Sequence, residues 1–134
     1  MKNSEDRSDA QGGTHTPRDI VERTFDFAVR IVKLCERLDE KPGVARIMMS
    51  QILRAGTSVP ANVEEAQAAQ SRADFISKMS IALKEARESH MRLRLIAAAS
   101  VIKPRQLQPL IDEAEELKRI LGAIIVSTKR SGAV

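Results

Sequence analysis

The sequence predicts an all-α protein, an up-down-up-down antiparallel four-helix bundle, and three observations predict it. Apolar residues recur at alternating spacings of three and four along four long segments, the period that keeps a stripe on one face of a helix. Short breaks such as Lys41-Pro42-Gly43 and Lys103-Pro104 separate the segments, and turns that short join antiparallel neighbours. The only aromatic residues are Phe25, Phe27 and Phe75, so the core must be built from Leu, Ile, Val, Met and Ala, which suits packed helices better than sheets. A chain of 134 residues is one domain's worth, and long enough to bury a core without disulfides or metal.

Residues 1–16 are polar, contain Gly12 and Gly13, and carry no apolar period, so a disordered N-terminal tail is expected there, with the bundle over 17–130 and a short tail over 131–134. Thr16 before Pro17 is a good helix start, with Asp19 favourable in the first turn. The first helix runs to about Leu38 with Ile20, Val21, Phe25, Ala28, Ile31, Val32, Cys35 and Leu38 inward. Phe27 and Leu34 widen its apolar arc beyond the roughly 100° that one packed face needs, leaving part for another subunit to cover. The second helix starts near Val44 and keeps Ile47, Met48, Ile52, Ala55, Val59, Val63 and Ala66 in phase. Gln51, Ser58 and Asn62 lie in or beside that stripe, which predicts a hydrogen-bond network to the helix packed against them. Pro60 is in phase with both halves, so a proline kink is expected, with Gly56 giving its backbone room; a break near Thr57 is the alternative.

Ser71 can cap the third helix, which continues to about Ser100. Its stripe is Phe75, Ile76, Met79, Ala82, Leu83, Ala86, His90, Leu93 and Ala97, and its far side carries Asp74, Glu85, Glu88 and Arg92, with Lys84, Glu88 and Arg92 alternating in sign every four residues. The fourth helix opens at Pro104 or Gln106, with Leu107, Leu110, Ile111, Ala114, Leu117, Leu121, Ile124 and Ile125 inward and Ile120 widening the stripe. Acids early and bases late match its dipole.

The formal net charge is +4, and the excess lies between residues 71 and 103, where seven Lys and Arg face three Asp and Glu. That field is within the ordinary range for a solvated helix and is also enough to attract a polyanion. With so few aromatics there is no platform for stacking unpaired bases, so nucleic-acid contact would run through phosphates, at Arg72, Lys78, Lys84, Arg87, Arg92 and Arg94. Cys35 is single, excludes an internal disulfide, and reads as a buried hydrophobe. No apolar run reaches the length of a membrane span and no signal peptide precedes the first helix, so a cytoplasmic protein with no membrane partner is expected. No enzyme or cofactor is expected either. The residue three before His90 is Arg87, not the Glu of a di-iron bundle pair, and phosphate-loop and dinucleotide glycine patterns are absent. His90 itself reads as a packed histidine bonded to Gln51, Ser58 or Asn62, or else as a pH switch.

Two blocks carry a resemblance. RAGTSVPANVEEA, from Arg54 to Ala66, resembles the segment of the 23S ribosomal RNA intervening-sequence proteins in which arginine precedes Ser-hydrophobic-Pro-x-Asn-hydrophobic-x-Glu. ADFISKMSIALKEARESHMRLRL, from Ala73 to Leu95, resembles the Phe-containing Ile-Ala-Leu helix that follows it. The likeness spans about residues 18 to 130. It implies a four-helix bundle that assembles into a ring-like homopentamer and associates with RNA, related to the accessory proteins of diversity-generating reverse transcriptases. The motif positions are Arg54, Ser58, Pro60, Asn62, Glu65, Phe75, Ala82 and Glu88. Pro60, Phe75 and Ala82 read as structural, while Arg54, Asn62 and Glu65 are open to either role. Glu64 beside Glu65, Ala66 in place of glycine, and Arg92 in place of an aromatic depart from the pattern, and Glu64 adds acid to a surface that would meet RNA.

Overall fold

A computed structural model describes residues 17–132 apart from Lys41. The expected N-terminal tail with its Thr16 cap, and the final residues 133–134, lie outside the described residues. The described chain is helical throughout: α1 (Pro17–Leu38), α2 (Val44–Gln67), α3 (Arg72–Ala98) and α4 (Pro104–Gly132). Consecutive helices pack on one another and α1 closes on α4. Contact pairs run in opposite directions along neighbouring helices. On α1 and α2, Ile31 meets Gly56 while Cys35 Sγ, further on, lies 3.6 Å from the earlier Met49 carbonyl. Between α2 and α3, Gln51 meets Arg92 and Glu65 meets Lys78.

The helix ends follow local chemistry. Gly43 turns into α2 with φ 74°, a left-handed conformation that glycine adopts without steric cost. Ser71 caps α3 by accepting from the Asp74 N–H at 3.0 Å, and the Asp74 carboxylate accepts from the Gln70 N–H in return. At the other end of α3, Ser100 takes the left-handed position, φ 57°, of a Schellman motif: its N–H donates to the Ala97 carbonyl and that of Val101 to Ile96. The helix α2 is continuous through Pro60, so the break near Thr57 does not occur.

The core is aliphatic, with Ile31, Leu38, Ile52, Val59, Met79, Leu93, Ile96, Leu117 and Leu121 fully buried. Each such side chain contributes about 1.5–3 kcal/mol by leaving water. Two inward stripes differ from expectation. On α1, Phe27 and Leu34 are buried, whereas Phe25 is 55% exposed and Val32 is also exposed. Thr24 explains the rotation: its hydroxyl donates to the Ile20 carbonyl at 2.8 Å, so this polar residue sits fully buried at no hydrogen-bonding cost. On α2, Ala45 is inward and Ile47 points to solvent.

Candidate nucleic-acid interface

Six cations were expected to act together on α3, and the bundle divides them. Arg92 turns toward α2, donating Nε–H to Glu88 at 2.8 Å and Nη1–H to the Gln51 amide oxygen at 2.8 Å. Lys78 also faces α2, 3.9 Å from Glu65. Arg72, at the start of α3, lies against the end of α4, where its Cδ stands 2.8 Å from the position a Cβ on Gly132 would occupy. Lys84, Arg87 and Arg94 remain exposed, and no described acid pairs with them; Arg72 shares both properties but stands about three turns before Lys84, at the start of the helix. At the helical rise, Arg87 and Arg94 stand about 10 Å apart along the axis. Exposed Ile81, Met91 and Leu95 are interleaved with these three cations.

The opposite flank of α3 holds an ion-pair lattice that ties it to α2. Glu85, expected on the solvated side, is buried, with only 7% of its surface exposed. Arg54 reaches across from α2, donating Nη1–H to Glu85 at 3.1 Å and Nη2–H to Glu88. Glu88 thus accepts from two guanidiniums, and the Arg54 hydrogen bond foremost holds its carboxyl below the usual carboxylate range. These contacts tie Arg54 and Glu88, both motif positions, into the seam between α2 and α3. Asn62 and Ser58 do not enter a cross-helix network as expected: Ser58 donates to the Arg54 carbonyl and Asn62 to the Ser58 carbonyl, both within α2. Of the three polar residues in that stripe, Gln51 alone bonds across the helices. Pro60 and Ala82 are buried and Phe75 packs half-buried against the core.

His90 faces α4 and not the polar residues of α2. Lys118 Nζ lies 3.3 Å from Nδ1, and Glu115 Oε1 lies 3.4 Å from Nε2. Desolvation first, and then Lys118, push the imidazole below its ordinary pKa. Glu115 is shared further, by Lys118 at 3.0 Å and Arg119 at 3.4 Å, and the Lys118 hydrogen bond foremost holds its carboxyl low. The sequence reading did not single out Lys118, Glu115 and Arg119; their i, i+3, i+4 spacing was visible, but their apposition to α3 was not.

On α1, Phe25, Val29 and Val32 form a second apolar stripe. With Ala28, Thr57, Pro60, Ala61 and Glu64 they line a groove of about 380 Å³ against α2. Among the described residues no group of His, Cys, Asp and Glu is placed to hold a metal ion, and no helix is long and apolar enough to cross a membrane.

Fold and surface together define a small helical bundle knit by a cross-helix lattice of arginine and glutamate, with cations left over on its outer face. The chain belongs to the 23S rRNA-intervening sequence protein family, whose model matches residues 18–123. It is similar to a protein of unknown function from the S23 ribosomal protein family of Bacteroides thetaiotaomicron VPI-5482, known from a crystal structure at 1.70 Å, with 41% identity and a TM-score of 0.75 over 81% of this chain and 96% of that one. No curated protein matches it.

Proposed function

We propose that this protein is a non-enzymatic, oligomeric bundle that associates with RNA or a ribonucleoprotein, contacting phosphates through Lys84, Arg87 and Arg94. The observation that carries the reading is the division of the α3 cations: Lys78 and Arg92 are engaged with α2, whereas these three stand exposed without an acid partner. A family named for sequences that interrupt ribosomal RNA supports RNA as the polyanion. The uncovered stripe Phe25, Val29 and Val32 supports self-association through α1, a helix that does not pack on the α3 that carries the cations. An apolar patch of this kind is the usual mark of a surface that another chain covers.

The test is solution mass by light scattering, followed by binding of a structured RNA and a DNA duplex across a salt series. Three phosphate contacts give a slope of log affinity against log salt near −2.7 for the duplex, at about 0.9 per contact. Arg87→Glu with Arg94→Glu should abolish the affinity and leave the assembly intact. Absence of RNA affinity even at low salt would overturn the reading.

A second reading, a protein-interaction scaffold or accessory subunit of a reverse transcriptase, is favoured by Ile81, Met91 and Leu95, which have no use against phosphate. Recovery of a reverse transcriptase with tagged wild-type protein, lost on Met91→Asp, would support it over RNA.

A further inference from the structure

The cluster around His90 lies beside the cations assigned to phosphate, and its geometry depends on a proton. Lys118, as an ammonium, can only donate, so its 3.3 Å contact with Nδ1 requires that nitrogen to carry a lone pair. The ring proton is then on Nε2, facing the Glu115 carboxylate at 3.4 Å. The ring is largely enclosed, with 13% of its side chain exposed. The charged groups acting on it are Lys118 and Glu115 of α4, with Arg119 behind Glu115, and Arg94 of α3; among the described residues α1 and α2 place none there.

We propose that His90 is a proton-operated control of nucleic-acid affinity at the α3/α4 face, releasing Lys118 toward bound phosphate when it becomes an imidazolium. A proton on Nδ1 would set two positive N–H groups against each other at 3.3 Å, and no rotation of the ammonium relieves that. Lys118 loses its neutral acceptor and turns to solvent, while the imidazolium takes the Glu115 carboxylate. The face beside Arg94 thereby gains one positive charge and one mobile ammonium. By reciprocity, a phosphate held there raises the affinity of His90 for its proton. The inference rests on the phosphate reading of Lys84, Arg87 and Arg94 and adds its regulation.

The experiment measures binding of a structured RNA across a salt series at about pH 5 and pH 7.5, where histidine alone among ordinary side chains changes charge, alongside the His90 ring titration by NMR. Wild-type protein should bind more tightly in acid, with the salt slope steeper by about one contact. His15→Gln should keep this response and His90→Gln should lose it. Lys118→Met should move the His90 titration midpoint upward even without RNA, with an unchanged urea midpoint at pH 7.5 beside it, because loss of the burial that lowers the imidazole would raise the midpoint as well. RNA binding that is equal at both pH values, or a response that survives His90→Gln, overturns the control and leaves the phosphate reading standing. RNA binding at neither pH overturns both, and an unmoved midpoint in Lys118→Met overturns the Lys118 coupling by itself.

Discussion

Gly56 offers the sharpest test of how α1 and α2 meet. A Cβ built on it would lie 2.8 Å from Ile31 Cγ1, 3.0 Å from Cγ2 and 3.2 Å from Cβ. Ile31 is fully buried on a helix, where a β-branched side chain holds one rotamer, so it cannot swing aside. Gly56→Ala therefore forces the two helices apart. Overpacking costs about 1–3 kcal/mol, and the gain in helix propensity returns about 1 kcal/mol, leaving a net loss near 1 kcal/mol. Ile31→Ala alone should cost about 2–5 kcal/mol by opening a cavity. In that background Gly56→Ala should become neutral or stabilising, because the added methyl enters the space vacated by Ile31. Urea denaturation of the four proteins in the cycle gives the coupling, expected at about 1–2 kcal/mol. If the penalty of Gly56→Ala persists undiminished in Ile31→Ala, the close approach to Ile31 is not the reason for the glycine.

Other expectations follow from single features. Ser100→Gly should stabilise the fold by about 1 kcal/mol in thermal melts, since glycine takes the left-handed position without a Cβ clash. Ser71→Ala should cost about 1 kcal/mol by removing the cap on the Asp74 N–H. The folded state holds His90 below its ordinary pKa, so the stability it contributes is complete above about pH 6.5 and is lost as pH falls through the lower folded value. Urea midpoints should drop across that window in wild type and not in His90→Gln, separately from the carboxylate losses of Glu88 and Glu115 below pH 4.5. Burial pushes the Cys35 thiol up to about 11, so labelling by an aromatic disulfide at neutral pH should be slow until urea unfolds the chain.

Helix boundaries were legible because their signals are local. Pro17, Gly43, Ser71 and Pro104 act through their own backbone or nearest amides, and each stands where a helix begins or turns. Facing was less legible, because a stripe is read from polarity and polarity is relative to partners. Thr24, absent from the expected inward stripe, is fully buried with its hydroxyl bonded to its own helix, and the buried stripe of α1 runs through it and away from Phe25 and Val32. Glu85 reads as solvated until Arg54 arrives from another helix. The same blindness assigned His90 to the polar residues of α2: an apolar stripe gives a side chain's direction only to within the width of two neighbouring helices, and His90 lies on the α4 flank of its stripe. Sequence periodicity could not choose between those flanks.

The identity of the buried partners bears on what the family motif means. Arg54 and Glu88 come from the two separate blocks that mark the family, and here they are each other's ion-pair partners, with Glu85 and Arg92 completing the lattice. Glu65 pairs weakly with Lys78 across the same seam, and Asn62 and Ser58 stay within α2. A motif assembled in this way records how α2 docks on α3. Removing Arg54 leaves Glu85, enclosed and without another described partner, to face the core as a bare carboxylate, which is more damaging than removing both charges together. Arg54→Met with Glu85→Leu should therefore recover part of the stability that Arg54→Met alone loses, and under the proposed phosphate reading the double variant should match wild type in RNA affinity. If the double variant folds and yet loses RNA affinity, the motif arginine touches the ligand and the division between a structural seam and a binding face is wrong.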